Sequence, residues 1–212
     1  MIKNIVVTGN IGAGKSTLVD KLTKVLPRSF ILSEPVSENP YIDKFYIELD
    51  KFKKTNQITK ELNKVSLEMQ LFLHYFRLTQ QFQLKYINQK DFIIQDRYLY
   101  DQLVFSQVMV KQGILSPNDY DLFYQIYQST FKLAREIDVL IYLSVTPENL
   151  MKRIAQRNRD CEKDITFDYI SALNDEYDNT FKKDLPHVKQ KYIIDYNNIS
   201  DETFESIIRK II

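Results

Sequence analysis

The chain has one cysteine, a net charge of +1, and no apolar run near the roughly 20 residues that span a bilayer. A single cysteine cannot form an internal disulfide, and it suits a reducing compartment. The small net charge argues against a nucleic-acid or membrane partner. We therefore predict a cytoplasmic protein. Of its 212 residues 44% are hydrophobic, an ordinary value for a globular protein, and a chain of this length can bury one core. We therefore predict a single domain, residues 1–212.

Glycine is also scarce: of four glycines, three fall within six residues. They belong to the segment Gly9-Asn10-Ile11-Gly12-Ala13-Gly14-Lys15-Ser16-Thr17. An apolar run precedes this segment, and a helical pattern with Leu18, Leu22 and Val25 as its apolar stripe follows it. Strand, glycine-rich turn and helix in this order predict a phosphate-binding P-loop.

A P-loop turns successive N–H groups towards an anion, and the helix N-terminus adds partial positive charge. Lys15 would reach the β/γ-phosphates, and the Ser16 hydroxyl would ligate Mg²⁺. The segment therefore predicts binding of a nucleoside triphosphate with Mg²⁺.

Short apolar runs alternate with longer amphipathic stretches, which predicts an α/β doubly wound fold with a parallel sheet. The predicted strands are Lys3–Thr8, Phe30–Ser33, Phe92–Gln95, Val139–Leu143 and Tyr192–Ile194. The Lys- and Asn-rich stretch Lys51–Lys64 is either a solvated helix or a mobile insertion.

Two acidic motifs follow predicted strands, where open parallel sheets bind ligands. Glu34-Pro35-Val36 follows the second strand, and Glu34 is either a base for phosphoryl transfer or a loop cap. Asp96-Arg97 follows the third strand. These two residues either hold Mg²⁺ and neutralise phosphoryl charge or form a surface ion pair.

Two further clusters have helical spacing. One helical face carries Gln70, His74 and Arg77. These side chains either read the edge of a nucleobase or form a polar stripe that faces solvent. For His74 we adopt the solvent-facing interpretation. The second cluster is an arginine group that forms either a lid over the phosphates or a solvated basic face paired with Asp160 and Glu162. It comprises Arg153, Arg157 and Arg159.

Taken in order, these features resemble the P-loop deoxyribonucleoside kinase family, which includes deoxycytidine, deoxyguanosine and deoxyadenosine kinases. The resemblance covers essentially the whole chain. It is strongest to small bacterial and mollicute members, through the segment Glu34-Pro35-Val36-Ser37-Glu38-Asn39-Pro40-Tyr41. It implies a five-stranded parallel sheet flanked by helices, with an arginine-bearing lid, and a homodimer.

The resemblance also implies roles for single residues. Glu34 would deprotonate the nucleoside 5′-hydroxyl, Arg97 would contact the 5′-oxygen and phosphates, and Asp96 would serve Mg²⁺. Gln70 and Arg77 would read the base.

Other implied roles lie at the sugar and at ATP. Tyr46 and Glu162 would share the sugar 3′-hydroxyl. The residues implied to contact ATP are the lid arginines, Arg153, Arg157 and Arg159, and a loop near the adenine, Asp195-Tyr196-Asn197.

The chain departs from the family pattern at three points. Tyr98 stands where Ser or Thr is usual, and Asp-Arg-Tyr is typical of thymidylate kinases. Gln102 occupies the position of the base-recognition aspartate, with Asp101 one residue earlier, so both are candidates to contact the base. The spacing from Tyr46 to Gln70 is longer than usual, which makes Lys51–Lys64 look like an insertion.

We therefore predict phosphorylation of a deoxyribonucleoside at its 5′-hydroxyl. Arg77 argues against a thymidine preference, so we expect deoxyadenosine or deoxyguanosine, with deoxycytidine as a further substrate. One alternative is a thymidylate-type monophosphate kinase. Those enzymes usually carry Arg-Glu-Pro-Gly-Gly at this point, whereas here Ser33 precedes Glu34 and no glycine follows. Another is a nucleotide-dependent switch, which would need an Asn-Lys-x-Asp motif that the chain lacks.

Overall fold

The computed structural model describes residues 2–33, 38–55, 57–159, 162–163, 165–198 and 200–211, with only the backbone described at Asp201 and Lys210. This part of the chain forms five strands and eight α-helices, with a short 3₁₀ helix at Leu84–Tyr86. In chain order the elements are β1 (Lys3–Gly9), α1 (Lys15–Val25), β2 (Ser29–Leu32), α2 (Ile42–Thr55), α3 (Lys60–Gln83), β3 (Phe92–Asp96), α4 (Leu99–Lys111), α5 (Pro117–Phe131), β4 (Ile137–Ser144), α6 (Pro147–Arg157), α7 (Phe167–Phe181), β5 (Val188–Asp195) and α8 (Asp201–Ile211).

The described strands form one sheet in the order β2-β3-β1-β4-β5, and every neighbouring pair is parallel. Val7 of β1 is in register with Asp96 of β3 and with Ile141 of β4. The five-stranded parallel sheet predicted from the sequence is confirmed. Because all strands point the same way, their carboxyl ends share one edge, and the loops that carry the candidate motifs leave from it.

Alternate side chains of the central strands pack into two cores on opposite faces of the sheet. Ile5 and Val7 of β1 join a core that includes residues of α1, α6 and α8. Val6 points the other way, into a core that includes residues of α4, α5 and α7. Both faces are covered, which explains why the central strands read as continuous apolar runs rather than alternating ones.

Several boundaries differ from the prediction. β2 is shifted by one residue towards the N-terminus, and β5 extends over Val188–Asp195 rather than Tyr192–Ile194. β5 lies at the sheet edge and carries exposed polar residues in its first half, which hid it from a search for apolar runs. Val25, assigned to the apolar stripe of α1, is 43% exposed, because the helix ends there and Leu26 is buried instead.

The stretch Lys51–Lys64 contains the end of α2 and the start of α3. Thr59 caps α3, where its hydroxyl accepts a hydrogen bond from the Leu62 N–H at 3.0 Å. No helix in the described part of the chain is long and apolar enough to cross a membrane.

Candidate active site

The glycine-rich loop joins β1 to α1 at the carboxyl edge of the sheet. Gly14 has a φ of 93°, a left-handed conformation from which α1 begins at Lys15. A Cβ at Gly9 would lie 2.9 Å from the Leu143 carbonyl oxygen, so this close approach to β4 requires glycine. The Lys15 ammonium donates to the Asn10 carbonyl at 2.9 Å, across the loop. The loop and the helix N-terminus form an anion-binding cradle of the P-loop kind.

Ser16 and Asp96 come together beside this loop. The Ser16 hydroxyl donates to Asp96 Oδ2 at 2.7 Å. The other oxygen of the carboxylate, Oδ1, is buried and has no hydrogen-bond partner among the described residues. Mg²⁺ prefers oxygen ligands and keeps several waters, so a hydroxyl and a carboxylate beside a phosphate cradle fit it.

Arg97 follows β3 in a left-handed backbone conformation with a φ of 71°, which is uncommon for a residue with a side chain. Its N–H donates to the Val7 carbonyl at 2.9 Å, which holds this conformation. The guanidinium donates to the Gly9 carbonyl at 3.1 Å and to Asp101 Oδ1 at 3.2 Å, and it lies 5.0 Å from the centre of the Phe105 ring. The strained backbone aims a buried cation at the P-loop, as functional sites often do.

Asp101 is 1% exposed and supports Arg97 through a buried network. Its carboxylate accepts hydrogen bonds from the Thr8 hydroxyl at 2.7 Å, the Tyr177 hydroxyl at 2.8 Å and the Tyr98 N–H at 2.9 Å. The sequence analysis named Asp101 as a candidate to contact the nucleobase. The contacts described here make it the counterion of Arg97.

A cavity opens in front of these groups, between the P-loop, α2, α3, α4 and the segment that links α6 to α7. It brings together most of the residues singled out in the sequence. Those that line it are Lys15, Ser16, Tyr46, Gln70, Arg77, Arg97, Asp101, Gln102, Arg157, Arg159 and Glu162. Phosphate-binding and base-reading candidates therefore share one chamber.

The two base-reading candidates of α3 line this cavity and are buried. The Gln70 side-chain N–H₂ lies 3.7 Å from the Met109 sulfur, and its carbonyl Oε1 has no hydrogen-bond partner in the described part of the chain. The Arg77 guanidinium donates to the Asp96 carbonyl at 3.5 Å. Buried polar atoms left for a ligand to satisfy are expected where a binding site recognises hydrogen-bonding edges.

The prediction that His74 faces solvent is wrong. His74 is 3% exposed because α4 and α5 cover this face of α3. Its ring nitrogens contact the Gln102 amide at 2.9 Å and the Thr130 hydroxyl at 2.6 Å. These partners are 28 and 56 residues away in sequence, so spacing within the helix gave no signal of them.

The arginine cluster divides into two parts. Arg157 lines the cavity and pairs with Glu162, its Nε 3.1 Å from the carboxylate, and Arg159 lies 3.9 Å from the same group. Arg153 turns towards the back of the P-loop, where it donates to the Ala13 carbonyl at 3.1 Å. Arg157 and Arg159 thus pair with Glu162, as the solvated-face alternative expected, but they do so at the wall of the cavity.

Arg153 also ties the P-loop to the loop after β5. It donates to the Tyr196 carbonyl at 2.6 Å and to the Asn197 carbonyl at 2.9 Å. The Asn197 side-chain carbonyl accepts from the Thr146 N–H at 2.9 Å, and the Asn197 backbone N–H donates to Asp195 Oδ1 at 3.0 Å. The segment implied to lie near the adenine of ATP is therefore fixed against the phosphate-binding loop.

The residues from Ile5 to the C-terminus, 5–212, match the family model described as "Deoxynucleoside kinase". This chain belongs to the deoxynucleoside kinase family.

Two curated relatives from Dictyostelium discoideum are similar to it. The deoxyadenosine kinase is 35% identical over 176 residues, 82% of this chain and 64% of that protein. The deoxyguanosine kinase is 32% identical over 206 residues, 94% of this chain and 66% of that protein. The chain thus spans slightly less than two thirds of each relative's length.

A solved structure of this kinase family has the same fold. It is deoxyadenosine kinase from M. mycoides, with the products dCMP and a flexible dCDP bound. Its TM-score to this chain is 0.82 at 28% identity, and the match covers 98% of this chain and 97% of that one.

The sequence analysis missed the hydrophobic residues that line the site. Phe45, Phe105 and Tyr169 line the cavity, and burial raises the pKa of Tyr169, which keeps its hydroxyl neutral. No sequence signal separates such aromatics from core residues. Glu34, the candidate base, lies outside the described residues and stays a prediction.

Proposed function

We propose that residues 1–212 form one deoxyribonucleoside kinase domain, which transfers the γ-phosphoryl group of ATP to the 5′-hydroxyl of a deoxyribonucleoside. The observation that carries this proposal is the shared cavity. Lys15 and Arg97 line it at the phosphate end, and Gln70 and Arg77 line it with buried polar groups suited to a base. A kinase for nucleosides needs both ends within reach of one small substrate.

At the donor end, the P-loop cradles the phosphates and Lys15 supplies a point charge. Ser16 and Asp96 would hold Mg²⁺, which supplies charge neutralisation between the phosphates when bound. Arg97 is fixed by Asp101 and directed at the P-loop, so its positive charge needs no reorientation during transfer. Arg157 and Arg159 line the cavity with side chains that are 34% and 55% exposed, and closure over them would exclude water.

At the acceptor end, Tyr46 and Glu162 would hold the sugar 3′-hydroxyl, since both line the cavity. Glu34 would take the proton from the 5′-hydroxyl as that oxygen attacks phosphorus, and ADP would leave. This role rests on the sequence position of Glu34, two residues after the end of β2, and on the family resemblance.

Tyr98 gives no positive support to the thymidylate-kinase alternative. This residue, which follows the Asp-Arg pair as in those enzymes, is 1% exposed. Its hydroxyl donates to the Arg135 carbonyl at 2.7 Å, and its ring packs near Tyr100 and Phe131 in the core. Tyr98 thus has a packing role, and the Asp-Arg-Tyr tripeptide shared with thymidylate kinases does not by itself indicate a site for a nucleoside monophosphate.

We propose deoxyadenosine or deoxyguanosine as preferred substrates and deoxycytidine as a further one. The similar proteins support this range, since the two D. discoideum relatives are deoxyadenosine and deoxyguanosine kinases and the M. mycoides enzyme holds dCMP. Gln70 offers both a donor and an acceptor to a base edge, and Arg77 offers donors.

Three finer parts of the proposal concern the setting of the enzyme. Mg²⁺ as the metal is supported by the paired Ser16 and Asp96 oxygens. A cytoplasmic location is supported by the single cysteine among 212 residues. Assembly as a homodimer rests on the family resemblance, and sedimentation equilibrium would test it.

ADP release from ATP and Mg²⁺ tests the reaction class. The protein is incubated with each of the four deoxynucleosides, with thymidine monophosphate, or with no acceptor. We expect ADP release with the purine deoxynucleosides. Release with the monophosphate alone would establish the thymidylate-kinase alternative, and equal release without acceptor would indicate a simple nucleotide hydrolase or switch.

A further inference from the structure

His74 lies behind Gln102, and both of its ring nitrogens have polar partners. Nδ1 is 2.9 Å from the Gln102 amide, and Nε2 is 2.6 Å from the Thr130 hydroxyl. The remaining neighbours are aromatic, with Phe123 edge-on and Tyr127 tilted against the ring. Burial lowers the pKa of His74, so the ring is neutral near pH 7 and has one donor nitrogen and one acceptor nitrogen.

Thr130 decides which nitrogen donates. Its hydroxyl oxygen lies 2.7 Å from the Ile126 carbonyl, one turn earlier in α5, and threonine commonly donates to that carbonyl in helices. Two oxygens at this distance repel unless a hydrogen lies between them. The single hydroxyl hydrogen is therefore used, Thr130 accepts from His74, and the proton of the imidazole is on Nε2.

This tautomer fixes the amide of Gln102. Nδ1 is then an acceptor, so the amide group facing it must be the N–H₂ donor. The two amide atoms exchange places by a half-turn, and only hydrogen bonding distinguishes them. The atom on the opposite side is buried, has no partner within the described residues, and belongs to a residue that lines the cavity. In the structure this unpartnered atom is Nε2 of Gln102, and Oε1 of Gln102 lies 2.9 Å from Nδ1 of His74. The half-turn that the tautomer requires exchanges the two, so the unpartnered atom becomes the carbonyl oxygen.

We propose that Thr130 and His74 are positioning residues that turn the carbonyl of Gln102 towards the base, and that this selects bases with an exocyclic amino group over the matching oxo bases. The inference rests on the proposed function. The amino groups of adenine and cytosine, and the 2-amino group of guanine, can donate to a carbonyl. The oxo groups of hypoxanthine and uracil only accept, so they leave two acceptors facing each other in a buried site.

Long-range ¹H–¹⁵N NMR of the imidazoles measures the tautomer directly, whether or not the protein is a kinase. The chain has two histidines, and a His187→Gln variant assigns the signals of His74. We expect a protonated Nε2 and an unprotonated Nδ1. A protonated Nδ1 overturns the inference.

Matched nucleosides test the consequence. We expect kcat/KM for deoxyadenosine to exceed that for deoxyinosine by about tenfold or more, because a buried acceptor is otherwise left unpaired. Deoxycytidine should exceed deoxyuridine in the same sense. A wild-type ratio near one overturns the selection.

Thr130 provides the variant, since it contacts His74 from the side away from Gln102. Thr130→Val removes the acceptor for Nε2–H, so the proton moves to Nδ1 and the amide turns its N–H₂ to the cavity. The ratio of deoxyadenosine to deoxyinosine should fall by about fivefold or more, and Thr130→Ser should keep it. A ratio unchanged in Thr130→Val, with tautomer and fold intact, overturns the relay. If wild type phosphorylates no nucleoside, the proposed function fails, and the NMR result still decides the orientation.

Discussion

Replacing Asp101 with alanine removes the carboxylate that neutralises Arg97 in the interior. The Arg97 side chain is 5% exposed and that of Asp101 is 2% exposed, so solvent cannot compensate. Three more donors, from Thr8, Tyr98 and Tyr177, lose an acceptor in the same step. Breaking one member of a buried ion pair typically costs about 3–5 kcal/mol. For a chain of this size that corresponds to a fall in Tm of roughly 6–20 °C.

Urea unfolding followed by circular dichroism measures this loss. Asp178→Ala is the matched control, because Asp178 also accepts from a tyrosine hydroxyl, that of Tyr142 at 2.7 Å, but its ion pair with Lys182 is at the surface. We expect the control to lose about 1 kcal/mol. If Asp101→Ala is destabilised no more than Asp178→Ala, the buried network does not hold Arg97 as argued here.

Four further changes test other parts of the site. Glu34→Gln should lower kcat by roughly 10²–10⁴-fold with little change in nucleoside binding; kcat close to wild type would remove Glu34 from the role of base. Lys15→Ala should weaken ATP binding far more than nucleoside binding in calorimetry, and equal losses would point to misfolding. Arg157→Ala should cost about 3 kcal/mol of transition-state stabilisation in kcat/KM, whereas a change within about twofold would favour a merely solvated arginine. Because burial lowers the folded-state pKa of His74 below 6.5, the unfolded chain binds more protons as pH falls below that value. Wild type should then lose stability relative to His74→Gln in that range, and parallel pH profiles would refute the buried neutral ring.

The central part of the fold was predictable because its physical signals are local. The apolar runs that became β1, β3 and β4 are covered on both faces, and the glycine loop sits between a strand and a helix. β5 was only partly predicted, since an edge strand with exposed Lys189 and Gln190 carries a weaker apolar signal.

The candidate site was predictable where one motif or one helix carries several residues. The pairing of Ser16 with Asp96 follows from two strand ends on one edge. The arrangement around Arg97 was missed, although Asp101 lies four residues later and gives a detectable charge spacing. His74 was misread because its burial depends on α4 and α5, which pack against α3 only in the folded chain.

The most direct measurement of the central claim follows the γ-phosphoryl group itself. Purified protein is given γ-labelled ATP, Mg²⁺ and deoxyadenosine, and the labelled product is compared with authentic deoxyadenosine 5′-monophosphate by chromatography, with Lys15→Ala as the matched control. We predict label in the 5′-monophosphate with wild type and almost none with the variant. Label that appears only when thymidine monophosphate is supplied, or only as free phosphate, would contradict the assignment of a deoxyribonucleoside kinase.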